Sequence, residues 1–181
     1  MRRRTRIAAV TAALLITAGA AGSATASGQG PRQQHRHEAA ALTGTAKLYR
    51  SAGDDITFSF DAHLAAGDTK NPGAATGTFR FSHYLHGKGA WAKAKVDCLV
   101  TGGEVAVVSG VITDSDLPGA EGRRVGVTVQ DLGRHDRLGY SWAATKDLGP
   151  RNLPKCVSSA PFEKVRQGTG DFHVVPWRPA L

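Results

Sequence analysis

The segment AWAKAKVDCLVTGGEVAVVSGVITD, from Ala90 to Asp114, decides the fold. Side chains of a strand alternate between its two faces, so a strict alternation predicts a strand with one apolar and one charged face. The apolar positions are Ala90, Ala92, Ala94, Val96, Cys98 and Val100, and the positions between them include Trp91, Lys93, Lys95 and Asp97. Gly102-Gly103 suits a tight turn because glycine adopts positive φ without steric cost, and valines resume at Val105. The segment therefore predicts an antiparallel hairpin that carries one cysteine.

The rest of the chain repeats this pattern at short intervals. Further strands are predicted at 43–50, 56–64, 78–85, 125–130, 140–143, 162–166 and 171–175, with the last two as a closing pair. Turn-forming residues fill the segments between them, and no segment shows sustained helical periodicity. We expect an all-β protein, an antiparallel sandwich or barrel of about eight strands.

The amino end indicates export. Four arginines, an apolar stretch and Ala24-Thr25-Ala26 are typical of a secretory signal peptide, here residues 1–26. The apolar stretch is short and rich in Ala, Gly and Thr, so we expect no membrane span in the mature chain and a secreted, extracellular location. Residues 27–41 hold no leucine, valine, isoleucine or aromatic residue and are predicted to be a disordered linker. A single β domain at 42–176 and a tail at 177–181 complete the prediction.

The charge balance argues against a nucleic-acid partner. The chain has 23 Lys and Arg and 15 Asp and Glu, and four of the arginines precede the predicted cut, so the mature chain carries 23 − 4 = 19 basic residues and a net charge of +4. This excess is small and scattered along the sequence. It predicts no nucleic acid and no obvious polyanionic partner.

Cys98 and Cys156 are the two cysteines of the chain. An exported protein meets oxidising conditions, and the pair lacks the Cys-x-x-Cys spacing of metal or redox sites, so a disulfide is predicted. In the chain-entropy model a cross-link that closes 156 − 98 = 58 residues stabilises a fold by about 4 kcal/mol.

The segments GTFRFSHYLHGKGAWAKAKVDCLVTGGEVAVVSGVI and GVTVQDLGRHDRLGYSW, together with the later Cys156, resemble a family of small secreted β proteins from high-GC Gram-positive bacteria that is often labelled repetin-like. The resemblance runs from about Ile56 to Val175. Its common pattern is a strand ending in cysteine, a glycine turn, a valine strand and an Asp-x-Gly…Asp…Trp segment. It implies a fold and a compartment but no activity, since the family's function is unassigned.

One set of residues offers a hydrolase alternative. Gly139 to Ala143 (GYSWA) differs from the Gly-x-Ser-x-Gly elbow at its last position, and no helix pattern follows it. His135, Asp136 and Asp131 lie near Ser141 in the sequence, so a loop-built Ser/His/Asp site can be drawn. A strand hydroxyl beside charged turn residues explains the same pattern more simply, and we expect no catalytic residues.

The candidate metal ligands are scattered. They are His35 and His37 in the linker, His63, His83 and His86 in or beside strands, and Asp114, Ser115, Asp116 and Glu121 in one loop. His83 and His86 are three apart, so a strand would place them on opposite faces. The acidic loop matches no calcium-binding spacing. We expect no metal site and no cofactor, because no group supplies three or four ligands in a supporting spacing.

Trp91 and Tyr84 are predicted on the polar faces of neighbouring strands. Exposed aromatic side chains on a sheet form platforms for sugars or peptides, whereas a sheet covered on both faces would bury them, and both alternatives stay open. We expect a non-catalytic extracellular binding or structural module with these two residues as its candidate ligand face. A cell-wall polymer or another secreted protein is the expected partner.

Overall fold

In the residues that the structure describes, nine antiparallel strands form one curled sheet, a half-barrel, which confirms the predicted all-β class. The computed structural model describes residues 38–143, 148, 153–158 and 161–178, all within the compact unit His35–Leu181. The strands are β1 (Glu38–Lys47), β2 (Asp55–Ala65), β3 (Thr76–Leu85), β4 (Lys88–Gly102), β5 (Val105–Ser115), β6 (Arg124–Gln130), β7 (Arg137–Tyr140), β8 (Glu163–Lys164) and β9 (Asp171–Val175). Every strand except β9 lies beside a neighbour in sequence, in the order β8-β7-β6-β5-β4-β3-β2-β1-β9.

Strand β1 begins earlier than predicted, inside the segment expected to be a linker. Ala40 and Ala41 are buried, and β1 pairs with β2 on one side and β9 on the other. Backbone pairing on both edges holds these small residues in the sheet although they offer little apolar surface of their own. The predicted signal peptide and linker residues 27–37, with both linker histidines, lie outside the described residues.

The predicted hairpin is confirmed as β4 and β5, but two β-bulges change its faces. A bulge adds one residue to one strand, so the inward and outward positions exchange beyond it. Asp97 is the extra residue of β4 at the second bulge. Beyond it Leu99 belongs to the core, whereas Val100 is 44% exposed. The prediction that Cys98 and Val100 continue the apolar face is therefore wrong.

The strand predicted at 140–143 is also misplaced. The structure has β7 at Arg137–Tyr140, and the next three residues form a turn in which the Ala143 N–H donates to the Tyr140 carbonyl at 3.0 Å. The ladder ends at Ser141, whose hydroxyl accepts a hydrogen bond from the Gly126 N–H at 3.2 Å. A side-chain oxygen thus takes the place of the next backbone acceptor.

The prediction that the last two strands pair with each other is wrong. β8 pairs with β7, and β9 pairs with β1, so they lie at opposite ends of the sheet order. The curl then brings the ends of the sheet together, because Leu48 forms a β-bridge with Val165 and the Tyr49 N–H donates to the Lys164 carbonyl at 2.8 Å. We call this junction, residues 47–50 and 163–166, the seam. The β8 segment thus pairs with β7 on one edge and with residues 48–49 on the other, so neither edge is open to β9.

Aromatic side chains fill the concave side of the curled sheet. The Phe58 ring lies 6.2 Å from that of Phe60 and 5.5 Å from that of Tyr140, and Phe60 meets Phe172 edge-on at 5.4 Å between ring centroids. These separations are typical of favourable aromatic pairs. Phe172 comes from β9 and Tyr140 from β7, so the cluster joins the two ends of the sheet through the core.

Candidate functional site

The predicted disulfide between Cys98 and Cys156 is confirmed. It holds residues 153–158, which we call the strap, across the outer face of β4, β5 and β6. The Cys156 N–H donates to the Ser109 hydroxyl at 3.0 Å, and Gly126 lies directly beneath the strap, where a Cβ atom would collide with the Val157 carbonyl oxygen. Cys98 is therefore buried on the outer face, by the strap and not by the core.

A polar cluster secures the strap beside the disulfide. Asp97, the bulged residue of β4, accepts a hydrogen bond from the Ser109 hydroxyl at 2.7 Å and an ion-paired one from Arg124 Nε at 2.6 Å. Arg124 also donates to the carbonyl oxygen of Leu153 at 3.0 Å. The bulge thus turns a carboxylate toward the strap, which gives it a structural role.

The residues of the hydrolase alternative do not converge. Ser141 follows β7, while His135 and Asp136 precede it, and a strand rise of about 3.3 Å per residue separates Ser141 from Asp136 by roughly 16 Å. The Ser141 hydroxyl is engaged by the backbone of Gly126, and His135 is exposed in a 3-10 turn. No nucleophile, base and orienting carboxylate of this set meet in one cleft.

Asp136 and Asp131 have a different role, at the free edge of β9. Asp136 is 2% exposed and accepts hydrogen bonds from the N–H groups of Leu132 at 2.8 Å and Phe172 at 2.9 Å. Asp131 accepts from the Val174 N–H at 3.0 Å and from the Gly133 N–H of its own turn at 3.2 Å. Two carboxylates thus satisfy donors of β9, which among the described strands pairs with β1 alone.

Two of the candidate histidines, His63 and His83, contact separate acidic partners. Both ring nitrogens of His63 meet carboxylates, with Nδ1 2.9 Å from Glu38 and Nε2 2.8 Å from Asp61, and His83 Nε2 lies 3.3 Å from Asp54. Burial lowers the pKa of His63, but the bond to Asp61 and the charge of Glu38 outweigh it, so the pKa is raised. The three histidines occupy β2 (His63), β3 (His83) and the turn after it (His86).

The acidic loop fixes the start of β4. An Asp116 oxygen accepts the Trp91 N–H at 2.7 Å, and the Ser115 hydroxyl donates to the Trp91 carbonyl at 2.6 Å. Asp114 and Glu121 point to solvent. In the described part of the chain no group of three or more His, Cys, Asp or Glu side chains is arranged to hold a metal ion.

The predicted ligand face lies on the outer side of β3 and β4. Trp91 is paired with Ser82, and Tyr84 is the next residue along that face, so the two aromatic side chains are diagonal neighbours. Both are half-buried. The guanidinium carbon of Arg80 lies 4.1 Å from the Trp91 ring centroid, so a cation–π contact covers part of that ring.

Beside this face an aromatic pocket opens at the end of the sheet where β3 stops and β4 begins. Its volume is about 560 Å³. Trp142 forms its centre, with ring centroids 4.4 Å from Phe81 and 4.8 Å from Tyr140. Trp91 and Leu117 also line it, and His83 and Ser115 supply polar groups. Most ligand pockets share this composition, an apolar and aromatic wall with a few polar groups.

The phenol group of Tyr140 anchors the pocket wall. Arg50 donates to the Tyr140 hydroxyl at 2.9 Å and is ion-paired with Glu163. The bond to Glu163 raises the pKa of Arg50, and burial together with the Glu163 charge raises the pKa of Tyr140, so the phenol stays protonated at neutral pH. The aromatic ring is thereby held in place while its polar end is satisfied behind the pocket.

Sequence reasoning missed this pocket, because its residues come from three separate segments. Phe81 and Trp142 are predicted as strand residues, but nothing local indicates that β3 and the turn after β7 meet across the concave side. The GYSWA segment drew attention to Ser141, whereas its neighbour Trp142 is the residue that faces the pocket. The aromatic residues next to strand ends were the one available signal.

No family model matches the chain, and neither a curated protein nor a solved structure is significantly similar to it. Among the residues that the structure describes, none belongs to a helix long and apolar enough to cross a membrane.

Proposed function

We propose that this protein is exported and binds a polysaccharide, such as a cell-wall polymer, through the aromatic pocket without catalysing a reaction. The observation that carries the proposal is the arrangement of Trp142, Phe81 and Tyr140 around an open cavity of about 560 Å³. Sugar rings have apolar C–H faces that pack on aromatic rings, and their hydroxyl groups need nearby hydrogen-bond partners. His83 and Ser115 lie where such bonds can form.

The pocket's size favours a sugar chain over a second secreted protein. A protein–protein contact of ordinary strength buries about 800 Å² on each partner, mostly on a broad surface. A cavity of about 560 Å³ suits a small ligand or a short stretch of a polymer. Trp91 and Tyr84, on the adjoining outer face, extend the surface along which a chain leaving the pocket would run.

Two features support export. The amino end has the basic, apolar and small-residue pattern of a secretory signal. The Cys98–Cys156 disulfide is the kind of cross-link that persists in oxidising compartments. If this is correct, the protein recovered from a culture medium begins at Ser27, which amino-terminal sequencing checks.

Retention on isolated cell-wall polysaccharide tests the binding function. Trp142→Ala should weaken retention at least about tenfold, or about 1.4 kcal/mol, because a tryptophan at the centre of a site usually carries much of the binding energy. Trp142→Phe should keep most of it by keeping an aromatic ring. The matched control is Trp177→Ala, which removes an exposed tryptophan outside the pocket and leaves its backbone bond to Thr101 intact.

The same assay separates the alternatives. Loss of retention in Trp91→Ala but not in Trp142→Ala would move the ligand to the outer face. Ser141→Ala should leave retention unchanged, since its hydroxyl bonds to the backbone. A wild-type protein that ignores wall material but hydrolyses a generic ester in a Ser141-dependent way would overturn the proposal in favour of the hydrolase.

A further inference from the structure

A second, strongly basic groove lies along the seam, away from the aromatic pocket. Its volume is about 690 Å³. Arg134 and Arg137 line one side, from the turn before β7 and from β7 itself, and Lys164 and Arg166 line the other. The four residues form two short clusters that are far apart in sequence, and the pairing of β7 with β8, in which Arg137 lies opposite Lys164, brings them together. None of the groove's lining residues lines the aromatic pocket.

The four cations are exposed and are not neutralised. In the part of the chain that the structure describes, none of them forms an ion pair or a side-chain hydrogen bond. Nearby carboxylates are already engaged, since Glu163 pairs with Arg50 and Asp55 with Lys47. Asp136 is buried with both oxygens bonded to backbone N–H groups. The bond from Lys47 and, more weakly, the charge of Arg166 lower the pKa of Asp55, so the charge of Arg166 is offset in part. The groove as a whole presents net positive charge.

The groove continues into an adjoining depression of about 630 Å³. The two share Arg134 and Arg166 as lining residues, and Gly168 and Gly170 form part of the second wall. Asp171 is the exposed carboxylate of this second part. A single small anion would fill only a fraction of the groove and the adjoining depression. The dimensions of the two together fit an extended ligand with repeated negative charges.

Tyr49 indicates what kind of polyanion fits. It follows β1 at the seam, lines the groove, and is 58% exposed. Its backbone N–H bond to Lys164 fixes its position, while its ring is free to pack on a ligand. The guanidinium group of arginine binds a carboxylate through two parallel hydrogen bonds, and an aromatic ring beside it can pack on the face of a sugar. Charge and ring together are the chemistry that recognises uronic acid units.

We propose that this groove is a second binding site, which takes an acidic polysaccharide. It is independent of the polysaccharide site proposed in the aromatic pocket, and either site can exist without the other. Because the cations are solvent-exposed, binding should weaken steeply as salt rises. The net charge of +4 of the mature chain does not reveal this site, because acidic residues elsewhere in the chain offset the cations at the seam.

The test measures the affinity of a galacturonic acid hexamer for the disulfide-bonded protein by calorimetry at about 20 mM and about 200 mM salt. Wild-type protein should bind at low salt. The double variant R134A/R166A should bind about tenfold or more weakly, and its dependence on log salt concentration should be shallower by about two, one for each cation removed. Tyr49→Ala should weaken binding severalfold and leave the salt dependence unchanged.

The matched control is K93A/K95A, which removes the same charge from exposed positions on the outer face of β4. It should bind the hexamer like wild type, and thermal unfolding of all variants should match. Trp142→Ala should also bind normally, which separates this site from the aromatic pocket.

Five results would overturn the inference. The first two are no binding at low salt and equal weakening by K93A/K95A. The next two, no effect of Tyr49→Ala or equal affinity for a single-stranded DNA oligonucleotide of the same charge, would mean that the groove attracts any polyanion. The fifth is equally tight binding of the neutral hexasaccharide maltohexaose, which would show that the groove does not recognise charge.

Discussion

At the scale of single residues, Asp136 is the carboxylate whose removal should cost most. Its carboxylate is the acceptor for two backbone N–H groups, on Leu132 and Phe172, in a place that is 2% exposed. Hydrogen bonds to a buried charged group contribute about 1.5–3 kcal/mol each. After the carboxylate is removed, water reaches the two unpaired N–H groups poorly. We expect Asp136→Ala to lower the free energy of unfolding by about 3 kcal/mol, as measured by urea denaturation.

Asp131→Ala is the matched control for that experiment. Asp131 also caps a β9 donor, the Val174 N–H, and an amide of its own turn, but 22% of its side chain is exposed. Water can replace it, so the expected loss is about 1 kcal/mol. Equal losses in the two variants would contradict the importance of burial at Asp136.

His63 should make stability depend on pH. Its folded pKa is raised by Asp61 and Glu38 above the unfolded value, so its contribution is complete below about pH 6.5 and is lost as pH rises through the folded pKa. The side chain is 33% exposed, which limits the effect to less than about 1 kcal/mol. Relative to His63→Gln, wild-type stability should therefore fall as the pH rises above about 6.5.

Urea denaturation across that pH range measures this difference. His173→Gln serves as the control, because His173 lies 73% exposed on β9 and 3.8 Å from its nearest carboxylate. A His63→Gln variant with the same pH profile as wild type would contradict the prediction.

At the scale of elements, the strap depends on glycine at position 126. A Cβ atom there would overlap the Val157 carbonyl oxygen, which belongs to backbone and cannot rotate away. We expect Gly126→Ala to destabilise the fold by about 2–3 kcal/mol, since overpacking of a close contact costs that much. Gly102→Ala is the control, because a Cβ atom at that strand end meets nothing within 4 Å, and it should change stability little. Thermal and urea unfolding compare the two.

Element positions were predictable where the pattern is local. The alternation of Ile56 to Leu64 predicted β2, and Gly102-Gly103 predicted the β4–β5 turn. The bulge at Asp97 was not predictable from the sequence. The bulged carboxylate bonds to Ser109 and Arg124, which in turn hold the strap, and all of these partners are far from Asp97 in sequence. The pairing partners of β8 and β9 were missed because β7 and β1, with which they pair, are far from them in sequence.

At the scale of the whole molecule, both candidate sites depend on contacts between segments that are far apart in sequence. The aromatic pocket needs β3 and the turn after β7 to meet, and the basic groove needs β7 to pair with β8 and Tyr49 to join them at the seam. Residue types along the sequence predict neither meeting. Trp91 and Tyr84 could be placed on one face because they lie on neighbouring strands of a predictable hairpin arrangement.

The disulfide acts on the same scale, because it constrains the entire unfolded chain. Closing 58 residues between Cys98 and Cys156 is expected to contribute about 4 kcal/mol in the chain-entropy model. We expect the double variant C98A/C156A to lose about that much free energy of unfolding, and wild-type protein measured in reductant to lose a similar amount. The single variant C156A controls for the free thiol and should match the double variant.

The strap allows the entropic effect to be separated from local packing. Ser109→Ala removes the hydrogen bonds to the Cys156 N–H and to Asp97 but keeps the cross-link. It should therefore cost about 1–3 kcal/mol by leaving a buried donor and acceptor without partners, in oxidised and in reduced protein alike. If Ser109→Ala instead left the free energy of unfolding of the reduced protein unchanged, the strap would already be detached in the reduced protein. The disulfide would then stabilise the fold by holding the strap on the sheet. A loss well below about 2 kcal/mol in C98A/C156A would contradict the entropic account.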